Sequence, residues 1–295
     1  MFLSNQTTLR QKVTFNGIGL HTGESTTVIV HPAAENTGIN FIINGTIIPA
    51  LIGFVSKTSY ATQLHQGDVS IKTVEHLLSA FMGLGLTNAL CEVIGPEIPI
   101  MDGSSWPFYF ALKSVGLLHQ KEPLKIAVVN KTVEVCYGES VGILSPSQDQ
   151  SFEITLAYDH PFIKDNALSL RFSFSKNDYP TDIARARTYG FKKDIEFYKE
   201  NNLARGADLT NSLVFDDHAI LNPDGLRFYN EVARHKMLDA IGDMSLIGGA
   251  FWGHYKAIKP GHTLNIKLIM EAFLQNAFDW VDADVLMKNS HNALI

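Results

Sequence analysis

His119-Gln120-Lys121-Glu122-Pro123 is the polar stretch that decides how this chain is divided. A run of charged and amide side chains that ends in proline is typical of a linker rather than of a core segment. We therefore place a domain boundary near residue 122, between an N-terminal domain of residues 1–122 and a C-terminal domain of residues 123–295. The chain has 295 residues, 45% of them hydrophobic, so each domain can bury its own core.

Strand and helix patterns alternate irregularly on both sides of this stretch. Before it, Val13 and Phe15 lead into the turn 17–19, and residues 26–30 follow, which predicts a β-hairpin. The remaining predicted elements are strands 41–43, 47–48, 89–94, 126–129, 133–135 and 152–158, and helices 73–81, 106–115, 194–200 and 231–247. Because they show no regular βαβ order, the pattern favours an α+β fold over a doubly wound sheet.

Composition excludes several classes of protein. The 24 basic and 30 acidic residues give a net charge of −6, so no general positive field exists to bind nucleic acid. Only Cys91 and Cys136 are present, which excludes a disulfide framework and favours a reducing cytoplasm. Residues 1–6 turn polar at once, unlike a signal peptide, and apolar runs such as 126–129 are far shorter than the roughly 20 residues of a membrane helix. We expect a soluble cytoplasmic protein without a transmembrane segment.

The predicted helix 231–247 carries an unusual polar face. His235, Asp239 and Asp243 recur every four residues and so share one side, while apolar residues cover much of the remaining circumference. This pattern indicates that the polar face borders an interior site. The alternative for one such pair in isolation is an ordinary ion pair or a hydrogen-bonded core histidine.

A second polar pair strengthens the interior-site interpretation. Glu75 and His76 are adjacent in an apolar helical segment, and neither has a partner nearby in the sequence. One histidine from here and a His-x-x-x-Asp pair would give three ligands, a set that suits zinc with an open fourth position. The pattern lacks His-Glu-x-x-His, which disfavours a zincin peptidase. The residues alone leave a metal hydrolase and a purely structural cluster open.

Three other motifs are weak by themselves. His262 follows a turn in the segment 259–265 and could project into a cleft, although most loop histidines are merely exposed. The segment 185–191 is most simply a solvated turn. Residues 17–23 superficially resemble a dinucleotide-binding fingerprint, but the third glycine is one residue late and a β-branched strand follows, so a glycine turn is favoured.

Together these segments resemble the bacterial UDP-3-O-acyl-N-acetylglucosamine deacetylases, zinc enzymes of lipid A biosynthesis. The resemblance is carried, in the family's order and over nearly the whole chain, by residues 19–23 (GLHTG), 73–77 (TVEHL), 97–104 (EIPIMDGS), 186–191 (ARTYGF), 221–228 (LNPDGLRF), 235–243 (HKMLDAIGD) and 261–265 (GHTLN). It implies two similarly folded α+β domains, each a sheet packed on helices, with the active site between the helical layers. It also implies hydrolysis of the 2-acetamido group of an acylated UDP-glucosamine, with release of acetate.

The resemblance implies roles for single residues. His76, His235 and Asp239 match the ligands of one catalytic zinc ion, and Glu75 matches the general base. Zinc can lower the pKa of its water to about 7, and a carboxylate can then accept the proton.

Four further residues complete the implied machinery. His262 matches the general acid for the departing nitrogen, and Asp243 beside it would hold its charge and orientation. Thr188 matches a residue that stabilises the oxyanion, and Lys236 one that contacts the substrate.

The segment of about 191–211 matches the family's insert, which forms an apolar passage for the acyl chain. The residues that we expect to contact substrate are Tyr189, Phe191, Ile195, Tyr198, Ala204 and Ala207. Because Lys192, Arg205 and Asp208 also lie there, we expect charged passage walls. Compared with an all-apolar passage, these would give a shorter usable acyl chain or a flatter dependence of turnover on acyl length.

The chain departs from the family pattern at Tyr189, where phenylalanine is usual, and in residues 56–64. No implied catalytic position is altered, so these departures concern substrate detail. Two alternatives stay open: a zinc amidohydrolase acting on another acylated amino sugar, and a non-catalytic relative that binds a UDP-sugar or lipid. We expect a monomer whose partner is its small-molecule substrate.

Overall fold

The computed structural model describes residues 4–157, 160, 163 and 168–286, which form a mixed α and β fold. The strands are β1 (Asn5–Leu9), β2 (Val13–Ile18), β3 (Ser25–Pro32), β4 (Ile39–Ile43), β5 (Thr46–Pro49), β6 (Val55–Lys57), β7 (Gln63–Gln66), β8 (Val69–Ile71), β9 (Ala89–Ile94), β10 (Leu117–Pro123), β11 (Lys125–Val129), β12 (Val133–Tyr137), β13 (Ser140–Ser145), β14 (Gln150–Thr155), β15 (Ser169–Ser173), β16 (Tyr189–Phe191), β17 (Leu213–Phe215), β18 (Phe251–Ile258) and β19 (Phe278–Asp282). The helices are α1 (Glu75–Leu84), α2 (Trp106–Val115), α3 (Tyr179–Asp182), α4 (Ile195–Glu200), α5 (Glu231–Met244) and α6 (His262–Leu274).

The N-terminal half is built on a five-stranded sheet with the order β2-β3-β9-β4-β5. All six residues of β2 pair antiparallel with residues 25–30 of β3, which confirms the predicted hairpin. The predicted turn is misplaced, because Gly17 and Ile18 still belong to β2 and residues 19–24 connect the strands. The ring of Phe15 on β2 lies 4.9 Å from that of Phe108 on α2, and both side chains are buried. Because α2 packs in turn against α1, a layer of two helices covers this sheet.

The C-terminal half is built on a seven-stranded sheet centred on β18. One edge of β18 pairs with β13, and its other edge pairs in parallel first with β11 and then with β14. α5 packs on β14 and β15, and α6 packs on β12 and β13. This half is therefore also a sheet packed on two helices, as the predicted α+β class requires.

The two helical layers face one another. α1 packs directly against α5, and one continuous hydrophobic core joins both halves. Gly242 permits this close crossing, because a Cβ there would overlap the backbone carbonyl oxygen of Glu75. The start of α1 is thereby pressed against the polar face of α5.

The predicted linker is a strand. Residues 117–123 form β10, which pairs antiparallel with β1. Backbone pairing does not need apolar side chains, and the amide of Gln120 is itself used, since it donates to the carbonyl of Ala33 and accepts from Asn88. Polarity therefore did not mark a connector, and the division of the chain near residue 122 stays a prediction. The predicted strand 152–158 ends at Thr155, and Tyr158 lies outside the described residues.

Candidate active site

The polar face of α5 borders the interior, as the spacing predicts. His235, Asp239 and Asp243 are all buried, and so are most of the apolar residues on the other sides of the helix. Across from them lie Glu75 and His76, which are buried in the first turn of α1. Five titratable side chains thus converge at the crossing of two helices.

His76, His235 and Asp239 form a group that can hold a metal ion, with ligand atoms that all lie within 4.8 Å of one another. Oδ1 of Asp239 lies 3.5 Å from Nε2 of His76 and 3.3 Å from Nε2 of His235. Two donors bound at about 2.0–2.1 Å to a tetrahedral ion would be separated by about 3.4 Å, so the spacing fits such an ion. Among the described residues, Oδ1 of Asp239 is also buried without a hydrogen-bond partner, which leaves its lone pairs available to a cation.

The protonation of these donors suits a cation. Nδ1 of His235 lies 3.1 Å from the carbonyl oxygen of Ala186, to which it donates, so that Nε2 keeps its lone pair toward Asp239. Burial lowers the pKa of His235 to about 3. Burial opposes the charge of Asp239, but His235 and the Lys236 ammonium, 2.9 Å from Oδ2, hold the pKa of this carboxyl well below its usual range. At neutral pH the His235 ring is therefore neutral and the Asp239 carboxyl ionised, the forms that bind a metal ion.

Glu75, His262 and Asp243 form a second group beside the first. Nε2 of His262 lies 3.5 Å from Oε1 of Glu75, and Nδ1 donates to Oδ2 of Asp243 at 2.8 Å. Burial raises the pKa of Glu75 to about 7 against the opposing charges of His262 and His76. Burial alone would lower the pKa of His262, but Asp243 and Glu75 outweigh it and raise this pKa to about 9. Glu75 is therefore a candidate proton acceptor, and His262 is a candidate proton donor.

Two residues that the sequence reasoning missed hold this second group in place. Thr62 donates its backbone N–H to Glu75 at 3.1 Å and its hydroxyl to Oδ1 of Asp243 at 2.6 Å. Asn265 donates its amide to Oδ2 of Asp243 at 2.8 Å. Asn265 belongs to a motif already singled out, GHTLN, so its place one turn after His262 was an available signal.

The interpretation of residues 185–191 as a solvated turn is wrong. Arg187 is only 5% exposed and forms an ion pair with the fully buried Glu231, whose Oε1 lies 2.9 Å from Nε of Arg187. Arg187 also donates its backbone N–H to Glu231 at 3.0 Å. Because Glu231 begins α5, this pair fixes the segment against the helix and places the carbonyl of Ala186 on His235.

Three predicted site residues lie around the metal group on this segment and on α5. The ring of Tyr189 lies 6.1 Å from that of His235, and Nζ of Lys236 lies 5.5 Å from the Tyr189 ring centre. Thr188 is half-buried, donates its backbone N–H to the carbonyl of Gly103 and accepts one from Leu213, both at 2.8 Å. The structure therefore brings Tyr189 and Lys236 to the site, and Thr188 stands in the chain between Ala186 and Tyr189, which both contact His235.

The predicted acyl-passage residues lie in a more open region. Phe191, Tyr198 and Ala204 are half-buried, whereas Ile195 (39% exposed) and Ala207 face solvent more fully. The ring of Tyr198 lies 5.9 Å from that of Tyr60. It also packs over Gly190, where an added Cβ would lie 3.6 Å from the ring. The three charged side chains of the insert, Lys192, Arg205 and Asp208, are exposed to solvent, which speaks against charged passage walls; the dependence on acyl length stays a prediction.

His21 is a further candidate to which the sequence reasoning gave no role. Its side chain lies in the predicted glycine turn and is 7% exposed, and among the described residues its Nε2 is buried without a hydrogen-bond partner. Nδ1 accepts the backbone N–H of Ala204 at 3.4 Å, so the ring borders the insert. Burial lowers the pKa of His21, which keeps the ring neutral. The signal available in the sequence was a histidine between two glycines in the GLHTG motif.

A cavity of about 720 Å³ lies at the other end of α1, between the two halves. Its lining includes Phe81, Tyr109, Gln150 and Tyr179 but none of the metal, acid or base candidates. Convergence of titratable groups, and not cavity volume, therefore locates the candidate active site. In the part of the chain that the structure describes, no helix is long and apolar enough to span a membrane.

Comparison with known proteins gives consistent matches along the chain. Residues 6–274 match the family model described as LpxC, UDP-3-O-acyl N-acetylglycosamine deacetylase. A UDP-3-O-acyl-N-acetylglucosamine deacetylase of Xanthomonas oryzae pv. oryzae (strain PXO99A) is 39% identical over 287 residues, 95% of this chain and 94% of the relative. Proteins with the same name from Myxococcus xanthus (strain DK1622) and Coxiella burnetii (strain Dugway 5J108-111) are 43% and 40% identical; they cover 90% of this chain, and the matches cover 85% and 89% of the relatives.

Proposed function

Because the chain belongs to the family of UDP-3-O-acyl N-acetylglycosamine deacetylases, we propose that it hydrolyses the 2-acetamido group of UDP-3-O-(3-hydroxyacyl)-N-acetylglucosamine. The products are acetate and a free amine, in a step of lipid A biosynthesis. The single observation that carries the proposal is the buried group of His76, His235 and Asp239, placed directly beside a Glu75–His262 pair.

We propose zinc as the ion that His76, His235 and Asp239 hold. Two imidazoles and one carboxylate are one of the three-ligand sets found in catalytic zinc sites, which keep a fourth position open. When bound, zinc would polarise the amide carbonyl as a Lewis acid and make a water molecule acidic near neutral pH.

Glu75 acts as the general base. Its carboxylate lies beside the metal group, and its pKa of about 7 allows it to accept a proton from the attacking water near neutral pH. The water oxygen then forms a bond to the amide carbon. Thr62, which donates to Oε2, keeps Glu75 in place while this proton moves.

His262 acts as the general acid. The amide nitrogen must gain a proton as the C–N bond breaks, and Nε2 of His262 faces the side of the site where Glu75 lies. Asp243 holds Nδ1 at 2.8 Å and stabilises the charged ring, so the proton is available at neutral pH. The proton taken by Glu75 and the proton given by His262 balance the hydrolysis of one amide.

Substrate contacts come from the neighbouring segments. Lys236 projects from α5 beside Asp239 and supplies a positive charge to the substrate, and Thr188 helps to stabilise the negative charge that develops on the carbonyl oxygen. The insert of residues 191–211, with Phe191, Tyr198 and Ala204 toward its inner side, receives the acyl chain. We place the reaction in the cytoplasm and expect the enzyme to act as a monomer.

A panel of UDP-amino sugars tests this function. Acetate release should be fastest with the 3-O-acylated N-acetylglucosamine substrate and weak with UDP-N-acetylglucosamine, which has no acyl chain for the insert. Faster release from another acylated amino sugar would support the first alternative function. Binding without any acetate release would support the non-catalytic alternative, which the presence of all five metal, acid and base residues disfavours.

A further inference from the structure

Glu97 is a buried carboxylate outside the groups described so far. Its side chain is 0% exposed, although it lies at the end of a turn between β9 and α2. None of the ion pairs in the described part of the chain involves it. Burying a carboxylate without a cation is costly unless hydrogen bonds compensate. Hydrogen bonds must therefore compensate for the burial of the Glu97 carboxylate.

Four donors from two segments of the chain supply the compensation. Oε2 accepts the backbone N–H and the hydroxyl of Thr22, each at 2.8 Å. Oε1 accepts the backbone N–H of His21 at 3.0 Å and the hydroxyl of Thr73 at 2.6 Å. The carboxylate therefore ties the Gly19–Gly23 turn to the residues that precede α1.

Both tied segments lead into the candidate active site. Thr73 stands two residues before Glu75 and three before His76, and its φ of 58° is an unfavourable conformation for a β-branched residue. Strain of this kind persists only where neighbouring contacts impose it, and the bond to Glu97 is such a contact. On the other segment, the carbonyls of Leu20 and His21 accept N–H groups from Gly206 and Arg205 at 3.0 and 3.3 Å, so the turn also holds the insert.

We propose that Glu97 is a positioning residue for the reaction, which it serves by fixing the entry to α1, with Glu75 and His76, and the turn that presents His21. The proposal rests on the proposed function for its kinetic consequence, but the structural consequence can be measured without it. The hydroxyl of Thr73 is the link to the base, and the backbone of His21 and Thr22 is the link to the turn. Each link can be removed separately.

Kinetics of four variants test the link to the base. Glu97→Ala and Thr73→Val remove it, Glu97→Gln weakens it, and Thr73→Ser keeps the hydroxyl. Loss of such a supporting contact typically costs about 10- to 100-fold. We expect a fall of that size in kcat per folded, zinc-loaded chain for Glu97→Ala and Thr73→Val, with KM for Thr73→Val near that of the parent, a smaller fall for Glu97→Gln, and parent-like rates for Thr73→Ser. Glu92→Gln, at a half-exposed side chain on β9, is the matched control and should behave as the parent.

Hydrogen exchange provides a readout that does not depend on activity. Backbone amides in peptides covering residues 19–23 and 73–77 should exchange faster in Glu97→Ala and Glu97→Gln than in the parent and in Glu92→Gln. Zinc affinity, measured by competition with a chelator, should fall in Glu97→Ala because His76 is less well held. If Glu97→Ala does not fold, Glu97→Gln and Thr73→Val carry the test.

The proposal would be overturned by parent-like kcat per zinc-loaded chain in Thr73→Val and Glu97→Gln, or by unchanged exchange in both peptides. A lower unfolding temperature with unchanged kcat would show a purely structural role and also overturn it. If the parent itself releases no acetate, the proposed function fails, and the exchange and zinc-affinity measurements still decide the role of Glu97.

Discussion

Nδ1 of His262 and Oδ2 of Asp243 lie 2.8 Å apart in a buried pair in which the carboxylate favours the protonated form of the ring. The carboxylate raises the pKa of His262 to about 9 against the effect of burial, while burial raises the pKa of the neighbouring Glu75 to about 7. Because the base has the lower pKa, there is a pH range in which Glu75 is ionised and His262 is protonated.

The pH dependence of kcat/KM should therefore be bell-shaped. Efficiency falls as the pH drops through the pKa of Glu75, because the base becomes protonated, and falls as the pH rises through that of His262, because the acid loses its proton. We expect the alkaline limb at or below about 9 and the acid limb at or below about 7, since a bound cation would lower the pKa of both His262 and Glu75. Glu75→Gln should lose about 10²- to 10⁴-fold in rate, as measured by acetate release.

Asp243→Asn is the control for the alkaline limb. Without the negative charge of Asp243, the pKa of His262 should fall, and the alkaline limb should move to lower pH by more than the acid limb, because Asp243 contributes less to the pKa of Glu75. An alkaline limb that does not move, or near-parental rates in Glu75→Gln, would contradict the assignment of acid and base.

Metal binding should depend on three side chains. The parent should retain one zinc ion per chain after gel filtration, and His76→Ala, His235→Ala and Asp239→Ala should each lose it, because each removes one of the three donors. Elemental analysis of the purified proteins measures this. His31→Ala, at a partly exposed histidine on β3 far from the site in the sequence, should keep its zinc. Tight zinc in all three site variants would show that the ion binds elsewhere.

The sequence predicted the parts of the site that lie on regular helices. In α5 a repeat of four residues places His235, Asp239 and Asp243 on one face by geometry alone, and apolar neighbours bury that face. Glu75 and His76 were recognisable because two titratable residues interrupt an apolar helical segment. The hairpin of β2 and β3 followed from its alternation around a glycine turn.

The contacts that hold these helices in register could not be predicted from local patterns. Thr62 and Asp243 are 181 residues apart, and Arg187 and Glu231 are 44 apart, so neither contact leaves a periodic signal. Arg187 looked like a solvated residue because burial of a guanidinium depends on a distant carboxylate. Gln120 looked like a linker residue because its hydrogen bonds to Asn88 and Ala33 are equally remote.

Breaking the Arg187–Glu231 pair should destabilise the protein strongly. Arg187→Met leaves the carboxylate of Glu231 buried without its cation, which typically costs about 3–5 kcal/mol of the free energy of unfolding. Urea unfolding measures the loss. Arg171→Met removes an ion pair whose arginine side chain is 80% exposed, and should cost less than about 1 kcal/mol. Equal losses of unfolding free energy in the two variants would mean that burial of the Arg187–Glu231 pair does not increase its effect on stability.

Acyl-chain length should affect turnover without interference from the charged residues of the insert. Because Lys192 is exposed, Lys192→Met should leave the length dependence of kcat/KM unchanged. If the acyl chain is buried along the insert, each added methylene contributes about 0.8 kcal/mol, which raises kcat/KM about fourfold until the passage is full. Kinetics on substrates that differ only in 3-O-acyl length test this. A steeper rise with length in Lys192→Met than in the parent would place the lysine in the wall after all.

The most direct test of the account is acetate release by the purified protein from UDP-3-O-(3-hydroxyacyl)-N-acetylglucosamine, measured with the free-amine product in the same sample. We predict one acetate per amine formed, loss of both after chelation, and recovery on adding one equivalent of zinc. If a folded chain that carries one zinc ion on His76, His235 and Asp239 releases no acetate, the central claim that this site catalyses the deacetylation is contradicted.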